Sequence, residues 1–361
     1  MLYELLYPLH TEISALNVVQ YITFRTAAAS LTAFLVSLAL GPFTIRRLRA
    51  LQIGQVIRDD GPQTHRDKAG TPTMGGLLIL AAAFVPTLLW ADLTNVYVGI
   101  ALLSTAAFGV IGMADDGLKI MRGSHRGLSV RGKLVAQSAV ATAVGLSLLQ
   151  LANDGLYSTE MIFPFFKQFT PDIGWLYVPF AVLVLVFSSN AVNLTDGLDG
   201  LAISIFTVAA GAFTALTYVS GHAAIAEFLL LVRFPPAGEL TIFCGSLVGA
   251  GLGFLWYNSY PADLFMGDVG SLALGGALGT VALLIKQEML LPIVGAVFLL
   301  EVLSVIVQVG SFKLTGRRVF RMAPLHHHYE QIGWSEPKII TRFLIAAIVC
   351  ALFSLTTLKL R

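Results

Sequence analysis

About ten runs, each of roughly twenty nearly uninterrupted apolar residues, dominate this chain. They constrain its fold more than any other feature. They lie at Tyr21 to Leu40, Thr73 to Trp90, Val96 to Ala114, Leu134 to Ala152 and Trp175 to Ala191. The rest are Leu201 to Val219, Leu240 to Tyr257, Val269 to Ile285, Met289 to Val309 and Ile339 to Leu358. Runs of this length span the hydrocarbon core of a bilayer as α-helices. Of the 361 residues only 12% are charged, about half the ~25% of soluble domains. That excludes a water-soluble globular enzyme, a disordered chain and a nucleic-acid binder. Thirty-four glycines suit closely packed spanning helices. The segment before Tyr21 has no Lys or Arg, so it lacks the basic start of a cleavable signal. Cys244 and Cys350 lie inside apolar runs and read as small buried hydrophobes. With no repeat or flexible linker, residues 1–361 read as one all-α, multi-pass integral membrane domain.

The basic residues predict the orientation. The connection after the first run carries Arg46, Arg47, Arg49, Arg58, Arg66 and Lys68. The one after the third carries Lys119, Arg122, Arg126, Arg131 and Lys133. The one after the ninth carries Lys313, Arg317, Arg318, Arg321 and Lys338, with Arg342 just beyond. The opposite side holds only Lys167, Arg233, Lys286, Lys359 and Arg361. Positive charge stays in the cytoplasm, so odd-numbered connections are expected there and both termini outside. Arg25, within the first run, reads as snorkelling to the interface. Met161 to Thr170 is aromatic but too short to span, and suits the outer interface or a plain loop.

The polar clusters fall on this cytoplasmic side. Asp115 and Asp116 end the third run, where carboxylates oppose the helix dipole and suggest a bound cation. Asn193, Asp196 and Asp199 recur at intervals of three, the spacing of one helical face or of a turn, beside Gly197 and Gly200. Asp268 opens the eighth run, as a helix cap or as a ligand. His326, His327 and His328 precede the last run. Asp59 and Asp60 lie among arginines and read as solvated loop. Carboxylates with Lys68, Lys133 and histidines can hold a hard cation and phosphates together, the equipment of metal-assisted phosphoryl transfer. A site at the membrane edge suggests one soluble and one lipid substrate.

Four strings carry a family resemblance: Gly70 to Gly76 (GTPTMGG), Asn193 to Gly200 (NLTDGLDG), Phe265 to Ser271 (FMGDVGS) and Met322 to Glu330 (MAPLHHHYE). The chain resembles the phospho-N-acetylmuramoyl-pentapeptide transferases, the MraY family of polyprenyl-phosphate N-acetylhexosamine-1-phosphate transferases. The resemblance runs from about Thr23 to the C-terminus. It implies a homodimer of ten-helix subunits in the bacterial cytoplasmic (inner) membrane, with a cytoplasmic active-site cleft and Mg²⁺. It also implies the substrates, UDP-MurNAc-pentapeptide and undecaprenyl phosphate, which give lipid I and UMP in the first membrane step of peptidoglycan synthesis.

The resemblance further implies roles. Asp268 is the principal Mg²⁺ ligand, and Asp115 and Asp116 lie near the lipid phosphate; either aspartate is open as its base, and we favour Asp115. Gly197, Leu198, Asp199 and Asn258 form the uridine pocket, on which Phe265 stacks. Lys68, Thr73, Lys133, Asn193 and Asp196 line the site for phosphates or sugar. His327 and His328 contact the nucleotide sugar, with His326 the least defined of the three. Glu301, Ser304 and Gln308 share one face of the ninth run, pointing Gln308 toward substrate and leaving Glu301 as a functional or a packing residue. Three rivals compete. A sister transferase using UDP-GlcNAc shares the Asp clusters but fits the histidine string less well. An intramembrane aspartyl protease needs two aspartates deep in the bilayer. An ion-coupled transporter needs midplane charges, for which only Glu301 qualifies.

Overall fold

A computed structural model describes residues 2–51, 70–124, 127–166, 169–228 and 234–359. Fourteen α-helices follow in order among them. They are α1 (Leu2–Leu6), α2 (Ile22–Ala50), α3 (Gly76–Trp90), α4 (Val96–Met121), α5 (Val130–Asn153), α6 (Tyr177–Thr195) and α7 (Leu201–Gly221). Then come α8 (Ala223–Phe228), α9 (Ala237–Asn258), α10 (Gly267–Leu284), α11 (Leu291–Val294), α12 (Ala296–Thr315), α13 (Leu325–Gln331) and α14 (Glu336–Thr356). Among the described residues nine helices are long and apolar enough to cross a membrane, so the protein is a multi-pass, all-helical membrane protein.

The tenth expected span is shorter. α3 has 15 residues, about 22 Å at 1.5 Å each, below the ~30 Å of a hydrocarbon core. Its first turn is lost because the Gly75 and Gly76 N–H groups donate to the Phe265 and Met266 carbonyls, each at 2.8 Å. Met74 just before them has φ +69°. The ninth run is also broken, into α11 and α12 at Gly295. Elsewhere helices outrun their apolar segments: α2 continues to Ala50 and α4 to Met121. Hydropathy reports where lipid contact ends, whereas a helix ends where its backbone hydrogen bonds do.

α10 is the central helix. Every residue from Val269 to Leu284 is buried, as expected of a helix apolar on all sides. It packs against α3, α4, α6 and α7. α9 lies along α2 through small residues: a methyl group on Gly249 would fall 1.9 Å from the Ser30 carbonyl oxygen, so only glycine permits this approach. Arg25 does not snorkel. It is 3% exposed, and its guanidinium donates to both Glu239 oxygens at 2.8 and 2.6 Å and to the Trp90 carbonyl, joining α2, α3 and α9. An acidic partner on a neighbouring helix makes burial cheaper than reaching for water. At the far end of α10, Lys286 lies over the Tyr157 and Tyr177 rings and pairs with Glu288 at 3.2 Å. The aromatic segment after Glu160 forms no helix among its described residues, and a Glu160–Asp172 bridge closes it. Cys244 is buried and free, and Cys350 is free and half-buried.

Candidate active site

The site gathers where the C-terminal turns of α4 and α6 meet the N-terminal turns of α5 and α10. Gly112 on α4 faces the first turn of α10, and a methyl group there would fall 2.1 Å from the Asp268 carbonyl oxygen. That approach brings Asp115, Asp116 and Asp268 together, with one oxygen of each within 4.8 Å of the others. Asp115 and Asp116 are buried and do not end their helix, which runs on to Met121. The dipole acts mainly on the last turn, so their position opposes it less than the apolar boundary implied.

Each carboxylate oxygen has a defined partner. Asp268 Oδ1 accepts from Asn193 Nδ2 at 2.8 Å, and Oδ2 from Lys133 Nζ at 2.7 Å. Asp115 Oδ1 accepts the Leu128 N–H at 2.8 Å. Asp116 Oδ2 accepts the Val269 N–H at 3.1 Å. Asp268 is therefore not the cap of α10: the position before the helix is Met266, with no side-chain cap bond, and Asp116 reaches across from α4 instead. Lys119 stands among all three carboxylates, with Nζ 2.7 Å from Asp115, 3.1 Å from Asp116 and 3.1 Å from Asp268. In the sequence Lys119 is one of five basic residues in the connection after the third run. Its spacing of three and four from the aspartates was the available signal.

Asn193, Asp196 and Asp199 do not share one helical face, because α6 stops at Thr195 between the first two. Asn193 turns to Asp268, while Asp199 Oδ2 accepts the Ala262 N–H at 3.0 Å. Desolvation, reinforced by the negative charges of Asp268, Asp116 and Asp199, pushes the Asp196 carboxyl up to about 8. Asn258 joins two loops: Oδ1 accepts the Gly200 N–H at 3.0 Å and Nδ2 donates to the Leu264 carbonyl at 2.8 Å. Leu198 is buried beside them. Phe265 is half-buried, and its N–H donates to the Pro72 carbonyl at 2.8 Å. Thr73 Oγ1 and Asp116 Oδ2 both border Gly267, 3.0 and 2.6 Å from where its Cβ would be.

The histidines separate. His326 is fully buried. His327 Nδ1 pairs with Glu330 at 2.6 Å, and His328 Nδ1 accepts the Arg321 N–H at 3.1 Å. Gln308 accepts the Val319 and Phe320 N–H groups and donates to the Phe320 carbonyl, fastening that loop to α12. Lys68, Asp59 and Asp60 lie outside the described residues.

Residues 98–286 match the family described as Glycosyl transferase family 4, and residues 68–80 match the phospho-N-acetylmuramoyl-pentapeptide-transferase signature 1. The phospho-N-acetylmuramoyl-pentapeptide-transferase of Koribacter versatilis is 57% identical over 100% of this chain and 99% of its own. Those of Acidobacterium capsulatum and Desulfosudis oleivorans are each 56% identical over the whole of both chains. The chain belongs to the phospho-N-acetylmuramoyl-pentapeptide transferase family.

The family's glycosyl transferase block holds all three clustered aspartates with Lys119, Lys133 and Asn193. Its signature covers Thr73 and the Gly75–Gly76 turn that pairs with Phe265 and Met266. An oxygen-only donor set of three carboxylates at this separation fits a hard divalent cation. In this member of the transferase family the cluster could therefore hold a metal ion.

Proposed function

We propose that the protein transfers phospho-MurNAc-pentapeptide from UDP-MurNAc-pentapeptide to undecaprenyl phosphate, giving lipid I and UMP, as a step of peptidoglycan synthesis. The observation that carries this reading is the convergence of Asp115, Asp116 and Asp268 with Lys119 and Lys133. Full-length similarity to the family supplies the substrate identities. A lipid phosphate oxygen attacks the β-phosphorus of the nucleotide sugar. A new P–O bond forms, the bond to the α–β bridging oxygen breaks, and UMP leaves. Both reactants are anions, so neutralising and aligning charge is the main task.

Asp268 would hold Mg²⁺, with Asp115 and Asp116 beside it. Bound there, the ion supplies Lewis-acid neutralisation of the diphosphate. Lys119 and Lys133 add positive charge for phosphate oxygens. Asp115 accepts the proton remaining on the lipid phosphate, whose second pKa is ~6. Gly197, Leu198, Asp199 and Asn258 receive the uridine, with Phe265 stacking on the base. Thr73, Asn193, Asp196 and Lys68 serve phosphates or sugar. His327, His328 and Gln308 complete the nucleotide-sugar side, with His326 behind them.

Residues 1–361 act as one domain in the bacterial cytoplasmic membrane, with both termini outside and the cleft toward the cytoplasm, a reading supported by the basic bias of the odd-numbered connections. Homodimerisation is proposed from the family resemblance. Turnover of UDP-MurNAc-pentapeptide with undecaprenyl phosphate in detergent, with and without EDTA, tests the proposal. UMP release that EDTA abolishes is expected, with none from UDP-GlcNAc. Preference for UDP-GlcNAc would replace this reading.

A further inference from the structure

Glu301 and His326 are both fully buried. Glu301 belongs to α12, and His326 to the first turn of α13. Glu301 Oε1 accepts the His326 backbone N–H at 3.3 Å and lies 3.2 Å from His326 Nδ1. No side chain of its own segment caps α13, so Glu301 starts that helix from outside. On its far side the imidazole presses on Gly197: a methyl group there would fall 2.3 Å from Nε2 and 3.0 Å from Cε1. Neither ring nitrogen completes a hydrogen bond among the described residues, and neither does Glu301 Oε2. Buried polar atoms left so carry a free-energy cost, and each calls for a reason. Apolar side chains would fill the space at lower cost, so bulk packing does not supply it.

We infer that Glu301 and His326 form one positioning strut for the loop from Asp196 to Gly200. Glu301 sets the start of α13 and the face of the imidazole. The imidazole edge sets Gly197. The same loop is tied on its other side by Asn258 to Gly200, by Asp199 to Ala262, and by Glu336 Oε1, which accepts the Asp199 N–H at 2.9 Å. The strut links this loop to α12 and to α13 at once. Neither residue touches substrate in this role. It rests on the assignment of the loop to the nucleotide sugar.

The test uses the full-length enzyme in detergent, with KM measured separately for UDP-MurNAc-pentapeptide and undecaprenyl phosphate, and UMP affinity measured without turnover. Glu301→Ala and His326→Ala should each raise the nucleotide-sugar KM and weaken UMP roughly tenfold, within the range for residues coupled through one contact. The KM for undecaprenyl phosphate should stay put. The double variant should be no worse than the more affected single, because both residues act through one contact. Glu301→Gln, which keeps the acceptor, should restore most of the affinity. Additive losses, equal shifts in both KM values, or no rescue by glutamine would each overturn the strut. Should the alanine variants fail to fold, Gly197→Ala decides alone. Its methyl group collides with His326, so unchanged UMP affinity refutes the contact. Asp199→Ala separates failure of the strut from failure of the loop's proposed role: if it spares UMP affinity and shifts only the lipid KM, the loop does not receive the nucleotide sugar.

Discussion

Asp116 of α4 caps α10, its Oδ2 accepting the Val269 N–H at 3.1 Å, one residue past Asp268. One carboxylate thus fixes the start of the central helix while its other oxygen faces Lys119. Asp116→Asn keeps an acceptor for Val269 but loses the charge, so it should lose turnover while melting near wild type. Asp116→Ala also loses the cap and should destabilise by a further ~1 kcal/mol. Melting in detergent beside turnover separates the two effects. Equal melting temperatures for both variants would mean that the cap carries no stability.

Asp268 and Asp115 should differ in their response to pH. Asp268→Asn removes the charge proposed to hold Mg²⁺ and should nearly abolish turnover at every pH. Asp115→Asn should lose most at low pH and recover in part as pH rises through the phosphate pKa of ~6, where solvent supplies the dianion unaided. The measurement is kcat against pH at saturating Mg²⁺. Parallel profiles would remove Asp115 as the base.

Phe265 is held by its backbone to Pro72 and Gly75, which leaves its ring for stacking. Phe265→Ala should chiefly raise KM for the nucleotide sugar, because base stacking is worth ~1–3 kcal/mol. A change confined to the KM for lipid phosphate would place the ring elsewhere.

Orientation can be read with cysteines. One at Ser124 should react with a membrane-impermeant thiol reagent only after the inner membrane is opened. One at Ser158, which is exposed, should react in intact spheroplasts. The opposite pattern would put the carboxylate cluster on the outer side.

Buried Arg25 and half-buried Glu239 form a bidentate pair, with neither residue among the clustered carboxylates. Removing one partner strands the other, so Glu239→Ala should destabilise by about 3–5 kcal/mol. The protein that remains folded should turn over at the wild-type rate. A melting temperature unchanged in Glu239→Ala would show that the pair contributes nothing net.

The apolar runs by themselves determined the helical class and the multi-pass architecture. Insertion free energy is nearly a sum over neighbours in sequence, and such sums can be read along a chain. The site residues could be nominated the same way, since Asp115, Asp116, Asp196, Asp199 and Asp268 are conspicuous in so apolar a sequence. What each one touches was not legible. Asp116 and Val269 stand 153 positions apart, and only the close approach permitted at Gly112 makes one cap the other. Arg25 looked like a snorkelling side chain until packing supplied Glu239. Lys119 looked like loop charge until α4 ran past its apolar boundary and carried it among the three carboxylates. Partners of buried polar groups are chosen by helix packing, a relation between distant segments that no local pattern encodes.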